Sequence, residues 1–281
     1  MVRDVAAIDA APADRLARAL PFAGTLHASP GQRNYVPFGQ ELLDEGLDAA
    51  AIVAFERAAQ GNPTPPTLYR LGTLFVKGGE PAKAKAAFER ALALQPDLAE
   101  ANNDLGALLA QGGDLPGAIA RFRKALATTP DYPDALNNLG FALLQTGRPQ
   151  DARPLYEKAL ALEPDFPEAL NNVGLILARE GNLEGAEPYF RRALGKRADY
   201  GEAANNLALV LVNHGRTEEA VQLLTGFVER VPAFENSYIT LAKIYLTTNR
   251  RREGLAILER LLQRNPTQAQ ALEIVRQMRQ P

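Results

Sequence analysis

Residues 131–164 read DYPDALNNLGFALLQTGRPQDARPLYEKALALEP, and the chain repeats this stretch, with changes, every 34 residues. Pro96, Pro130 and Pro164 fall 34 apart, Ala198 takes the next place, and Pro232 and Pro266 resume the series. Gly72, Gly106, Gly140, Gly174, Ala208 and Ala242 form a column of small residues, while Phe88, Phe122, Tyr156, Phe190, Leu224 and Leu258 form a bulky one. An earlier copy fits through Gly39, Ala51, Phe55, Ala58 and Pro63, one residue shorter in its closing loop. Self-similarity at a fixed period overrides the two-domain expectation that a length of 281 residues would otherwise carry.

With Pro133 as position 1, Gly140 is position 8 and Pro164 position 32 of a helix-turn-helix unit. Seven units then begin at Gln32, Pro65, Ala99, Pro133, Pro167, Gly201 and Glu235 and cover residues 32–268. Position 15 holds Gly46, Gly79, Gly113, Gly147, Gly181, Gly215 and finally Asn249, the order of preference for a left-handed residue ending a helix. That column therefore ends the first helix, A. Positions 8 and 20 are small, so A and the second helix, B, approach closely, and position 24 supplies bulk. Proline at position 32 cannot continue helix B. These residues resemble the tetratricopeptide repeat, and the resemblance implies an all-α, right-handed superhelix of stacked helical pairs.

The ends of the array read differently. Residues 1–31 are an N-terminal extension without repeat landmarks, carrying a candidate helix over Ala13 to Leu20 that either caps the first unit or does not pack. Residues 269–281 are expected to form a C-terminal capping helix, with Leu272, Val275 and Met278 on one stripe and Arg276 in the small position. Pro154 and Pro188 sit inside helix B, where a local bend is expected unless position 22 simply faces solvent, and Pro37 shortens the first helix A.

The paired asparagines of LNN are mediocre helix formers and call for a reason. On a helical wheel positions 4, 7, 8 and 11 form the core side of helix A, leaving positions 2, 6, 9 and 13 opposite. In the resembled fold this opposite stripe lines the inner, concave surface. Position 2 is an acidic row, Glu100, Asp134, Glu168 and Glu202; position 6 holds Asp104, Asn138, Asn172 and Asn206. Position 9 adds Phe141, Leu175 and Leu209. An asparagine both donates and accepts, which suits a peptide main chain of any sequence. Helices about 8–10 Å apart would meet an extended chain, advancing about 3.3 Å per residue, roughly every third residue.

The repeats are similar to the asparagine-ladder repeats of protein O-linked N-acetylglucosamine transferases, which implies that Asn138, Asn172 and Asn206 hold an extended polypeptide; Asp104 departs from that pattern. Asn137, Asn171 and Asn205, with Asn103, occupy position 5, where an inter-repeat hydrogen bond and a ligand contact are both open. The acidic row either complements the helix dipoles or meets a basic partner. A carboxylate clamp of the chaperone-binding type is not expected, since only Arg33 and Arg70 match it.

No chemistry of catalysis stands out. There is no cysteine, which excludes disulfides and thiolate sites, and His27 and His214 are the two histidines, without a carboxylate cluster at ligand spacing. Phosphate loops, nucleophile elbows and zinc helices are lacking. A net charge of −2 gives no reason to expect nucleic acid. The N-terminus lacks a signal-peptide core and no apolar run approaches about 18 residues, so a soluble, cytoplasmic protein without membrane insertion is expected. Arg250, Arg251 and Arg252 make a basic turn, solvated or docking an acidic partner. The expected function is a noncatalytic scaffold binding an extended polypeptide, with no cofactor and no metal. A self-assembling scaffold, and a recognition partner of a separate glycosyltransferase-like enzyme, remain as alternatives.

Overall fold

The computed structural model describes residues 35–279, and the expected N-terminal extension, with its helix over 13–20, His27 and Arg33, lies outside them. The described residues are all-α: α1 Tyr35–Asp44, α2 Asp48–Gly61, α3 Pro65–Lys77, α4 Pro81–Leu94, α5 Ala99–Gln111, α6 Leu115–Thr128, α7 Pro133–Gln145, α8 Pro149–Leu162, α9 Pro167–Arg179, α10 Leu183–Lys196, α11 Gly201–Asn213, α12 Thr217–Arg230, α13 Glu235–Thr247, α14 Arg251–Arg264 and α15 Ala269–Arg279. They fall into two compact units divided between Ala142 and Leu143. In the first, α3 packs on α4, α4 on α5 and α5 on α6; in the second, the same succession runs from α8 to α15. It is a solenoid of helical pairs.

The A-to-B turn is set by backbone conformation. Gly46, Gly79, Gly113, Gly147, Gly181 and Gly215 all have φ between 71° and 86°, and Asn249 has φ 60°. Around Gly181, its N–H reaches the Ala178 carbonyl at 3.1 Å and the Asn182 N–H reaches Leu177 at 2.9 Å, the double closure that satisfies the last carbonyls of a helix. A side chain at this conformation is strained, which is why glycine recurs and asparagine is the one substitute.

Positions 8 and 24 meet face to face. A Cβ added to Gly72 would lie 2.4 Å from Phe88, and one added to Gly174 would lie 2.8 Å from Phe190. Phe88, Phe122 and Phe190 are buried in these contacts, each ring contributing about 1.5–3 kcal/mol of transfer free energy. Where the partner is Leu224 or Leu258, position 8 carries Ala208 or Ala242 instead. Volume is shared between the two columns.

Pro154 and Pro188 are exposed and lie inside uninterrupted helices α8 and α10. Pro37 stands in the first turn of α1, where its missing N–H has no intrahelical partner to lose. The stripe expected on α15 needs correction. Leu272 is 46% exposed, and the buried residues are Ala271, Ile274 and Val275. The same position 4 is buried in Leu136, Leu170 and Tyr238, each of which packs in a pair with a described B helix.

Candidate functional site

The asparagine columns form hydrogen bonds from repeat to repeat. In the first unit Asn138 Nδ2 donates to Asn103 Oδ1 at 3.0 Å, and in the second Asn206 Nδ2 donates to Asn171 Oδ1 at 2.9 Å. Each bond joins position 6 of one helix A to position 5 of the preceding one, 35 residues earlier. Tyr69 and Asp104 occupy the same two places, and there the Tyr69 hydroxyl donates to Asp104 Oδ2 at 3.0 Å. Asn205 accepts from Ser237 Oγ at 2.8 Å, while the Thr240 hydroxyl at position 6 turns back to its own helix at the Asn236 carbonyl. Position 5 thus serves neighbouring repeats.

The stripe is graded in exposure. Asn103, Asn137 and Asn171 are buried and Asn205 half-buried; at position 6 Asn172 is buried, while Asp104, Asn138 and Asn206 are half-buried. Phe141 and Leu209 are 44% and 48% exposed and Leu175 is half-buried. Gln111, Gln145, Arg179 and Asn213 at position 13 are exposed. Amide groups therefore sit at the foot of the stripe, with apolar side chains standing out above them.

In the first unit Asp104 lies in a negative, tyrosine-lined setting. Burial pushes its carboxyl above the ordinary range, hydrogen bonds from Tyr69 and Asn103 pull it back, and Asp134 and Glu100 push it up again. Tyr132, the residue before α7, is pushed up to about 12 by burial and by the carboxylates of Asp104, Asp134 and Glu100, against a hydrogen bond with Asn103. Tyr69 is raised above the phenol range by burial and by Asp104. Tyr69 and Tyr132 did not enter the sequence reading, although Tyr69 stands in the position-5 column one unit before Asn103.

The second unit answers the same charges internally. Arg197 pairs with Glu168, and its guanidinium lies over the Tyr200 ring, 3.8 Å from the centroid. Tyr200 is pushed up to about 12 by burial and by Glu202 and Glu168, with Arg197 opposing. All four acids of position 2 stand in the first turns of their helices, where they complement the helix dipole. Of them, Glu168 is half-buried and Glu100, Asp134 and Glu202 are exposed.

Other sequence features find structural partners. His214 Nδ1 lies 3.5 Å from Glu187 Oε2, a carboxylate that also binds Arg191 and Arg216. Arg250 pairs with Glu218 and Glu253 and stacks over Tyr245 at 4.7 Å. Arg70 lines a cavity of about 1070 Å³ between α1, α2 and α3, together with Tyr35, Gln40, Arg57 and Thr64. Among the described residues no three His, Asp or Glu side chains gather to hold a metal ion, and no helix is long and apolar enough to cross a membrane.

Comparison with known proteins gives one consistent picture. Family models described as tetratricopeptide repeat match residues 69–133 and 137–201, 177–233, and 235–268. No curated protein matches the chain. The crystal structure of MamA is 28% identical, covering 57% of this chain and 94% of its own, at a TM-score of 0.51. A tetratricopeptide repeat protein from Parabacteroides merdae is 16% identical over 88% of this chain and 98% of its own, at a TM-score of 0.71. PilF from Pseudomonas aeruginosa is 20% identical, covering 76% of this chain and 96% of its own, at a TM-score of 0.65. The last two likenesses concern the fold.

Proposed function

This chain belongs to the tetratricopeptide-repeat family, and from that premise we propose that it is a noncatalytic scaffold binding an extended polypeptide segment of a protein partner along the free face of its A helices. The observation that carries the reading is, in each unit, a half-engaged amide beside an exposed apolar side chain. Asn138 and Asn206 each use one Nδ2 hydrogen on the preceding repeat, which fixes the amide plane. Their second N–H and their Oδ1 receive no partner among the described residues, and these are the groups a peptide carbonyl and a peptide N–H would take. Phe141 and Leu209 offer apolar contact next to them.

Because main-chain groups are alike at every residue, such a face accepts many sequences and leaves selectivity to side-chain contacts. The resemblance to the asparagine-ladder repeats of the O-linked N-acetylglucosamine transferases supports the same assignment for Asn138, Asn172 and Asn206, with Asn103 orienting Asn138 and Asn171 orienting Asn206 from position 5. Asp104 gives the first unit a different, acidic version of the row.

The test begins with a partner recovered by capture and mass spectrometry and reduced to its binding peptide. Phe141→Ser and Leu209→Ser alter exposed positions, so stability should stay within about 0.5 kcal/mol. Each should weaken binding roughly fivefold, the value of burying about 40 Å² of apolar surface at about 25 cal/mol per Å². Isothermal titration with an unchanged dissociation constant for the double variant would remove the free face as the binding surface.

A further inference from the structure

The second unit contains, within its own chain, a filled version of a frame that the first unit leaves without a cation. Arg197, Tyr200 and Glu168 stand at positions 31, 34 and 2 of the fifth repeat. There the Arg197 guanidinium covers the Tyr200 ring at 3.8 Å and donates to Glu168 Oε1. Asn265, again at position 31, donates to Glu235 Oε1 at 2.9 Å, so this column reaches the acidic start of its own repeat more than once. The same three positions in the third repeat are Thr129, Tyr132 and Glu100. Ring and carboxylate recur; the cation does not.

Local geometry is conserved between the two. Thr129 and Arg197 both cap the C-terminus of a B helix, with φ −124°, ψ 85° and φ −133°, ψ 93°. Glu100 is exposed and makes no ion pair among the described residues, and the Thr129 side chain makes no hydrogen bond among them. Around the ring the charges are of one sign, Glu100 being joined by Asp104 and Asp134. A planar guanidinium stacks on an aromatic face and pairs with a carboxylate at once, which a compact ammonium does less well.

We propose that the Tyr132–Glu100 frame binds an arginine side chain of the partner polypeptide, in the place that Arg197 occupies two repeats later. The inference rests on the polypeptide-binding reading above and adds to it a residue preference at one point of the face. Asp104, held by Tyr69 and Asn103, is near enough to act on Tyr132 and supplies further negative potential.

The probes are two short capped Gly/Ser/Thr peptides that differ in one central residue, arginine in one and its neutral isostere citrulline in the other. Amide NMR titration of the full chain reads both affinity and place. The arginine peptide should bind about 2- to 30-fold more tightly, the factor of a cation over an aromatic face, with shifts centred on Tyr132, Glu100 and Asn103. Thr129→Arg should abolish the difference by supplying an internal guanidinium. Glu100→Gln, at an exposed position, should shrink it in a chain whose fold is unaffected. Equal affinity for the two peptides, or a preference that survives Thr129→Arg, overturns the proposal. Equal binding that Phe141→Ser still weakens removes the arginine site and keeps the peptide face, whereas no binding by either peptide removes both.

Discussion

Gly174→Ala places a methyl group where the chain has chosen a ring. The new Cβ would stand 2.8 Å from Phe190 Cε1, 3.0 Å from Cζ and 3.1 Å from Cδ1, inside contact distance for three atoms of a side chain that is fully buried. Overpacking of this kind costs about 1–3 kcal/mol, and the better helix propensity of alanine returns about 0.5–1, so a net loss of up to about 2.5 kcal/mol is expected. The chain itself indicates the remedy. Ala208 with Leu224 and Ala242 with Leu258 carry the methyl group at position 8 and a smaller side chain at position 24, all four fully buried. Phe190→Leu alone opens a cavity, but together with Gly174→Ala the two changes should offset each other. A coupling of about 0.5–3 kcal/mol is expected for residues in contact. Urea unfolding followed by far-UV circular dichroism, on the wild type, both single variants and the double, measures it. Additive single effects would refute the argument that positions 8 and 24 share one volume.

Tyr156→Phe should stabilise the chain by about 1 kcal/mol in the same assay, because the Tyr156 hydroxyl is buried and has no hydrogen-bond partner among the described residues. Gly181→Ala should cost about 1–2 kcal/mol through its φ of 83°, while Asn249→Gly at φ 60° should be neutral or mildly stabilising, as read from urea midpoints. The Glu187 carboxyl is raised by partial burial but lowered further by hydrogen bonds from Arg191 and Arg216, so its folded value lies below the ordinary 4.5. Such a group stabilises at pH above its unfolded value, and the contribution disappears as pH falls through the folded one. Urea midpoints at about pH 7 and about pH 3 should therefore differ less in Glu187→Gln than in the wild type; an equal drop would show that the network around Glu187 does not report on folding.

The fold was legible because its determinants are periodic and local. A left-handed helix end demands glycine or asparagine, and a close crossing demands a small residue opposite a large one, so both columns can be read without knowing which helix neighbours which. The site was legible to a lesser depth. Placing Asn138 and Asn206 on the stripe follows from the helical wheel, but their bonds to Asn103 and Asn171 depend on how successive pairs stack. Tyr69 went unnoticed for the same reason, since its role appears only when position 5 is set against position 6 of the next unit. His214 looked isolated in sequence because Glu187 belongs to the preceding helical pair. Leu272 misled because a helical stripe marks a face without saying which neighbour covers it, and here Ala271, Ile274 and Val275 are the covered residues.

On the proposed reading the doubled asparagine has two connected jobs. A repeat-to-repeat hydrogen bond needs an acceptor on one helix and a donor on the next, and asparagine supplies both, so identical repeats are self-complementary through it. When position 6 becomes Asp104, an acceptor only, position 5 must donate, and Tyr69 does. When position 6 becomes Thr240, which bonds its own helix, Ser237 takes over the Asn205 acceptor. The bond is kept while its chemistry changes, which marks it as part of the stacking register. What varies along the chain is the remainder: one N–H and one carbonyl oxygen at Asn138 and Asn206, and a carboxylate beside two tyrosines at Asp104. Stacking thus fixes the orientation of each of these side chains within its unit, and in the proposed reading the part left over by stacking is what a partner would meet.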